Sequence, residues 1–569
     1  MAIIKKILIL YIALCTISLV IAVPSKRVIQ KRAEVNTNLF QAFTPQPATT
    51  QPTVHEYDFH LYKTSLSPDG VSRVVWTVNG QYPGPMIIAN KGDQIVINVT
   101  NQLGEPTSIH SHGIVQKGTN WFDGVPGVTQ CPIPNGGSFI YNYTVDQAGT
   151  YWYHSHYVAQ YVDGMNGPII VQDPNDPFLN LYDFEYVVTI SEWYHNTTEE
   201  LLAIKMAPTY KGFNPIADSA LIGGIGQYNC SSAAAQGLSC NSSVTPPTYV
   251  VQSGKRYRFR IINTSADSHF HFSIDNHSLT LIEVDGISIK PVTIQKIPIN
   301  VAQRYSVVLN ASQPVGNYFI RASITQACIV RGNATTLNQT INYNSSINWN
   351  ATGILHYVGA DNSIPTSHEW PDVGQVTCDD VPDSSLVPYV ASTPPTNISS
   401  SSQFSYNLTF GPDAAGLGIF YINNSSFTPN YTNPTIMQLR SGVSAQNLPT
   451  AQNAYAYNTA NGGVELNFLN SNGGTHPFHL HGHSFYIVGR GLGTTPNTTS
   501  FNLVNPPFRD TATVSPGGWM TIRFYADNPG AWLVHCHLEW HVEMGMVIQL
   551  VERASDLNSL TLPSSATDL

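Results

Sequence analysis

The sequence predicts an all-β protein made of three sandwich- or barrel-like units. Three observations lead there. Charged residues make up only 11% of the 569, aromatics another 11%, and 42 Gly with 38 Pro provide turns. An average soluble protein carries about 25% charge, and a disordered chain would be far less apolar. Helical periodicity is scarce, and short alternating runs bounded by Gly, Pro, Asn and Asp recur instead. Composition shifts near Asp173–Pro177 and between about Gly359 and Ser402 cut the chain into segments each long enough for its own core. The formal net charge is −10 with no basic patch, which argues against a nucleic-acid partner.

Taken in order, residues 1–22 read as a secretory signal: Lys5 and Lys6, then an apolar run from Ile7 to Val23, with small residues near Ala22. The run is short of the ~20 residues that span a bilayer. Lys26-Arg27 and Lys31-Arg32 read as processing sites, making 23–32 a propeptide. No second long apolar run follows, so the mature chain is expected to be secreted and soluble, with no membrane anchor. Sequons at Asn98, Asn142, Asn196, Asn263, Asn310, Asn333, Asn344, Asn350, Asn397, Asn407, Asn430 and Asn497 point to N-glycans.

The three segments are 33–175, 176–375 and 376–569. Within them Gln94–Thr100, Ser138–Val145, Arg256–Ile262, Arg304–Leu309, Gly463–Leu469 and Met520–Tyr525 read as strands, each with a turn after it. A His-x-His follows a strand pair in every segment, at His269–His271 in the middle one. Cysteines outside the signal are Cys131, Cys230, Cys240, Cys328, Cys378 and Cys536. Cys230 with Cys240 would staple a loop and Cys328 with Cys378 is a second candidate pair; the sequence does not settle the connectivity.

Four histidine-rich motifs concentrate the chemistry: His110-Ser111-His112, His154-Ser155-His156, His476-Pro477-Phe478-His479-Leu480-His481-Gly482-His483, and His535-Cys536-His537 with His541 and Met546 beyond. Side chains at i and i+2 of a strand share a face, so each His-x-His offers two imidazoles to one metal. Many neutral imidazoles with one thiolate suit copper, and the near absence of carboxylates disfavours magnesium, calcium and non-haem iron. His476, Cys536 and His541 can form a His₂Cys trigonal set with Met546 as a long axial thioether. His110, His112, His154, His156, His479, His481, His535 and His537 then suffice for three further coppers. On a strand, Cys536 faces one way and its two neighbours the other, so the sulfur would link one copper to the rest.

These motifs resemble those of multicopper oxidases, the group of fungal laccases, ferroxidases and ascorbate oxidases. Asn120-Trp121-Phe122-Asp123-Gly124, Thr129-Gln130-Cys131-Pro132 and Ala526-Asp527-Asn528-Pro529-Gly530 extend the resemblance over essentially the whole mature chain. It implies three cupredoxin-like β-barrels and about four coppers per chain, in the first and third barrels. His476, Cys536, His541 and Met546 match the type 1 site; His110 and His479 match type 2. His112, His154, His156, His481, His535 and His537 match type 3. Asp123 and Glu539 match acids beside the trinuclear cluster, where they would deliver protons or orient histidines. His483, His269 and His271 are read as structural. Many fungal laccases have Leu or Phe at the axial position, so Met546 implies a lower potential.

For the reductant, Ser191-Glu192-Trp193-Tyr194-His195 matches a segment where laccases place an acid against the phenol and yeast-type ferroxidases a Glu that helps bind Fe(II). Glu192 fits both, or a capping or salt-bridge role. The Gly491–Pro506 loop contains no acid, against a ferroxidase; the Glu539-Trp540 segment is closer to one. The expectation is a secreted laccase-like oxidase of phenols and aromatic amines that reduces dioxygen to water. The alternatives are a ferroxidase and a non-catalytic copper-binding protein.

Overall fold

The structure, a computed structural model, describes residues 39–45, 52–209, 214–329, 347–371 and 377–560. The signal and propeptide segments, and the sequons at Asn333 and Asn344, lie outside the described residues. All six runs named above are strands, their ends moved by two residues or fewer. In Gln94–Asn101 every second residue is buried, so Ile95, Ile97 and Val99 enter the core while the polar partners face outward. Helices are short; Thr198–Lys205 begins with a capping box between Thr197 and Glu200.

The strands form three pairs of sheets in succession. The first pair is a sheet of Arg73–Val78, Val54–Leu66, Gln94–Asn101 and Ser138–Thr144, and a sheet of Ile87–Asn90, Asn166–Gln172, Gly149–His154 and His110–His112. The second pair lies between Phe184 and Tyr357, and the third between Ile398 and Glu552. Parallel neighbours, such as Val54–Leu66 beside Gln94–Asn101, require crossovers between the two sheets of a unit, as in a Greek key.

The hydrophobic core does not stop at unit boundaries. Trp152 and Ala159 of the first unit share a cluster with Phe478, Cys536 and Trp540 of the third. Ile97 and Ile109 share another with Ala531, Leu533 and Val547. The first and third units are thus packed as one body, and the histidine motifs lie on that seam.

Disulfides join Cys230 to Cys240 and Cys328 to Cys378, while Cys131 and Cys536 belong to neither. One sequon expectation is corrected. Asn263 is wholly buried and donates to the carbonyls of Ser268 and Ile299, so no glycan can reach it in the folded chain. Asn310 and Asn407 are exposed.

Candidate metal centre

The donor side chains assemble into two groups, a smaller one within the third unit and a larger one where the first and third units meet. The smaller arises from the antiparallel pairing of His476–Leu480 with Gly530–Cys536, in which Phe478 lies opposite Cys536 and His479 opposite His535. Alternation along the strands sends Cys536 to the face shared by His476 and Phe478, and His535 to the other. The short helix Glu539–Glu543 then carries His541 back over Cys536. The Nδ1 atoms of His476 and His541 are 3.1 Å apart, and 3.6 and 3.5 Å from Cys536 Sγ. Donors about 2.0–2.3 Å from a common centre stand ~3.5 Å from one another, so this triangle fits one metal ion. Met546 is tied to both neighbours: its N–H donates to His541 O (2.9 Å) and its carbonyl accepts from Cys536 N (3.2 Å).

The larger group is split between units. His110, His112, His154 and His156 come from the first; His479, His481, His535 and His537 come from the third. Pairing of His110–His112 with Gly149–His154 sets His110 opposite His154. Across the seam His110 stacks on His481 with centroids 4.1 Å apart, and His112 on His479 at 3.7 Å. His481 and His535 bring their Nε2 atoms to 3.2 Å.

Five of the eight rings are oriented by the nitrogen that faces away. The Nδ1–H groups of His110, His154, His479 and His535 donate to the carbonyls of Asp123 (2.6 Å), Ser155 (2.8 Å), Asp510 (2.9 Å) and Cys536 (3.0 Å). His481 Nδ1–H donates to Asp123 Oδ2 at 2.8 Å. These bonds fix the tautomer and turn the other nitrogen inward. The inward Nε2 of His110, His154, His156 and His479, Nδ1 of His112, and both nitrogens of His537 have no hydrogen-bond partner among the described residues. Orphaned buried polar atoms cost about 1–3 kcal/mol each, so so many converging on one spot fit a set of metal ligands.

Burial and mutual repulsion hold His112, His154, His156, His479, His481 and His537 well below the usual 6.5. Burial pushes His535 down to about 4. The rings are therefore neutral at ordinary pH, the form that binds metal. Imidazole with one thiolate is a donor set suited to copper; the carboxylate of Asp123 is spent on His481 Nδ1–H and that of Asp510 on the Arg304 guanidinium.

Three family models, each described as multicopper oxidase, match residues 60–176, 184–360 and 426–556. Laccase-4 of Trametes villosa is 39% identical over 526 residues, covering 90% of this chain and 92% of that protein. Laccase of Phlebia radiata is 40% identical over 519 residues, covering 88% and 91%. Among solved structures, laccase from Botrytis aclada matches with TM-score 0.80 and 34% identity over 94% of this chain and 92% of that one. Fet3p, a multicopper oxidase that functions in iron import, matches with TM-score 0.77 and 30% identity over 90% and 94%. The chain belongs to the multicopper oxidase family. It is a copper-dependent oxidoreductase that uses oxygen, and its three sheet pairs are the family's cupredoxin-like domains.

Around the cluster of this multicopper oxidase, Asp123 is fully buried and bridges the units, taking His481 from one side while its carbonyl takes His110 from the other. Glu539 is buried at the start of its helix; burial, then the neighbouring Glu543 carboxyl, push it well above the usual carboxylic range. Burial lifts Glu543 to about 7.

Glu192 lies on strand Phe184–Trp193 with its carboxylate turned inward. It accepts the backbone N–H groups of Ala266 (2.6 Å), Asp267 (2.9 Å) and Ser268 (2.9 Å). Next to it, Asn214 Nδ2 donates to Asp267 Oδ1 (3.1 Å) and lies 3.2 Å from His541 Nε2. Glu192 thus holds the loop that borders the His541 edge. His483 Nε2 meets Glu552 at 3.1 Å, and His269 and His271 share the Thr325 hydroxyl. Sequence reasoning missed Asp510, whose Oδ1 lies 3.6 Å from His112 Nε2. A lone Arg-Asp pair carries no local signal, and of the histidines it meets His112 lies in another unit and His479 is 31 residues away.

Proposed function

We propose that this protein is a secreted laccase-type oxidase that takes single electrons from phenols or aromatic amines and passes them to dioxygen, releasing water. The observation that carries the reading is the His476–Cys536–His541 triangle sharing a backbone with His535 and His537. Cys536 and the two histidines would hold the type 1 copper, with the Met546 thioether as a further, weaker donor. His110 and His479 serve type 2; His112, His154, His156, His481, His535 and His537 serve the type 3 pair, making about four coppers. Copper, once bound, contributes one-electron redox chemistry and oxygen reduction. The protein's own part is to keep the imidazoles neutral, to orient them through Asp123 and Asp510, and to exclude bulk water by burial. Asp123 and Glu539 are the acids that would deliver protons to the cluster or orient its histidines. The domains are assigned as 33–175, 176–375 and 376–569, the first and third bearing ligands; surface N-glycans accompany secretion.

Ferroxidase activity is the second reading, favoured by the likeness to Fet3p. Oxygen uptake by the copper-loaded protein with a dimethoxyphenol, compared with Fe(II), separates the two; uptake with neither refutes both and leaves a copper-binding protein. Glu192→Gln replaces a carboxylate that holds three N–H groups. Hydrogen bonds to a charged group contribute roughly 1.5–3 kcal/mol, so loosening this loop is expected to raise KM about tenfold or more. Copper content and blue absorbance should stay unchanged. Steady-state kinetics with both reductants measures it, and the reductant that loses more is the one the loop recognises.

Met546→Leu is expected to raise the reduction potential of the type 1 site, because a thioether that donates even weakly stabilises Cu(II). Redox titration of the blue band tests this; an unchanged or lower potential contradicts the axial assignment.

A further inference from the structure

None of the proposed ligands comes from the middle unit, yet one of its side chains bonds residues behind both halves of the histidine cluster. Arg304 begins strand Arg304–Asn310 and is wholly buried. Its Nε donates to the carbonyl of Thr150 at 2.9 Å. Thr150 lies on the first-unit strand that ends in His154 and pairs with His110–His112. The other end of the guanidinium forks onto Asp510 of the third unit, Nη1 to Oδ1 at 2.7 Å and Nη2 to Oδ2 at 2.5 Å. Asp510 in turn receives His479 Nδ1–H on its carbonyl and lies beside His112.

The surroundings confirm how closely the clamp is fitted. Asp285 Oδ1 stands 3.6 Å from Arg304 Nη1, and its Oδ2 accepts from Arg509 Nε at 2.7 Å. Gly113, directly after His112, has φ +87°, and a Cβ there would stand 2.6 Å from Arg304 Nη2 and 2.9 Å from Asp510 Oδ2. The chain beyond His112 can pass only because that residue is glycine.

We propose that Arg304 is a positioning residue that sets the spacing between the two half-clusters, so that the middle unit decides whether the eight-imidazole site loads with metal. The proposal rests on the multicopper reading. A buried ion pair adds little net stability, since desolvation offsets attraction. Its planar bidentate fork, however, is geometrically selective in a way an ammonium is not. The His476–Cys536–His541 triangle lies within the third unit and does not depend on this clamp.

The test compares wild type with Arg304→Lys, each purified after copper loading, by metal analysis, visible absorbance and electron paramagnetic resonance. In the variant the blue absorbance per chain should persist, while copper falls from about four to about one and the type 2 signal disappears. Where Arg304→Lys does not fold, Asp510→Asn keeps side-chain shape and backbone carbonyl and carries the same expectation. A folded variant that retains the wild-type copper content overturns the proposal. So does the absence of a folded blue species from both variants, which would make the contact one of general stability. A wild type with far fewer than about four coppers would instead defeat the multicopper reading itself.

Discussion

Cys536→Ser is expected to remove the blue absorbance and all oxidase turnover while leaving the fold intact. Cys536 is wholly buried between His476 and His541, and serine is close to its size, so packing on that face changes little. A serine hydroxyl does not ionise at ordinary pH and is a hard oxygen donor where a soft thiolate is needed. The covalent connection to His535 and His537 would remain, but without the sulfur that starts it. The visible spectrum, metal analysis and oxygen uptake with either reductant are the measurements. Turnover retained with a phenol or with Fe(II) would show that electrons enter elsewhere.

Asp123 carries the second large effect. Asp123→Ala removes the acceptor for His481 Nδ1–H, a bond at 2.8 Å between the two ligand-bearing units. Loss of such an orienting carboxylate typically lowers metal affinity or activity 10–100-fold, and that is the expected fall in both here, with the blue site unaffected. Asp123→Asn retains an acceptor oxygen but cannot carry a proton. It is expected to keep its copper while losing turnover, which separates orientation from proton delivery. Copper content and oxygen uptake of the two variants measure this. Full activity in Asp123→Asn would reduce Asp123 to an orienting role.

Both effects trace to residues that are legible in the sequence. Asp123 stands in a motif, and His535-Cys536-His537 announces its own geometry because strand alternation is a local rule. The six runs read as strands all form, although only Gln94–Asn101 buries strictly every second side chain, while Arg256–Asn263 and Arg304–Asn310 are buried almost throughout by the sheets packed on them. The buried sequon at Asn263 shows the opposite case. The tripeptide is present, but the fold encloses it against Ser268 and Ile299. Glu192 is similar: its segment marks it as important, while the three N–H groups that hold it come from a loop 74 to 76 residues away.

The sequence by itself determined the strand-rich class, the histidine-rich donor motifs and the metal their chemistry suits. Those follow from composition, period-two alternation and donor chemistry, all short-range properties. Only the tertiary structure decided which histidines interleave across the seam, which ring nitrogen faces inward, and that Arg304 of the middle unit joins Thr150 of the first to Asp510 of the third. Those depend on contacts spanning hundreds of residues, such as Arg304 with Asp510 and His481 with Asp123. No local pattern encodes such distances; they exist only once the three units have packed.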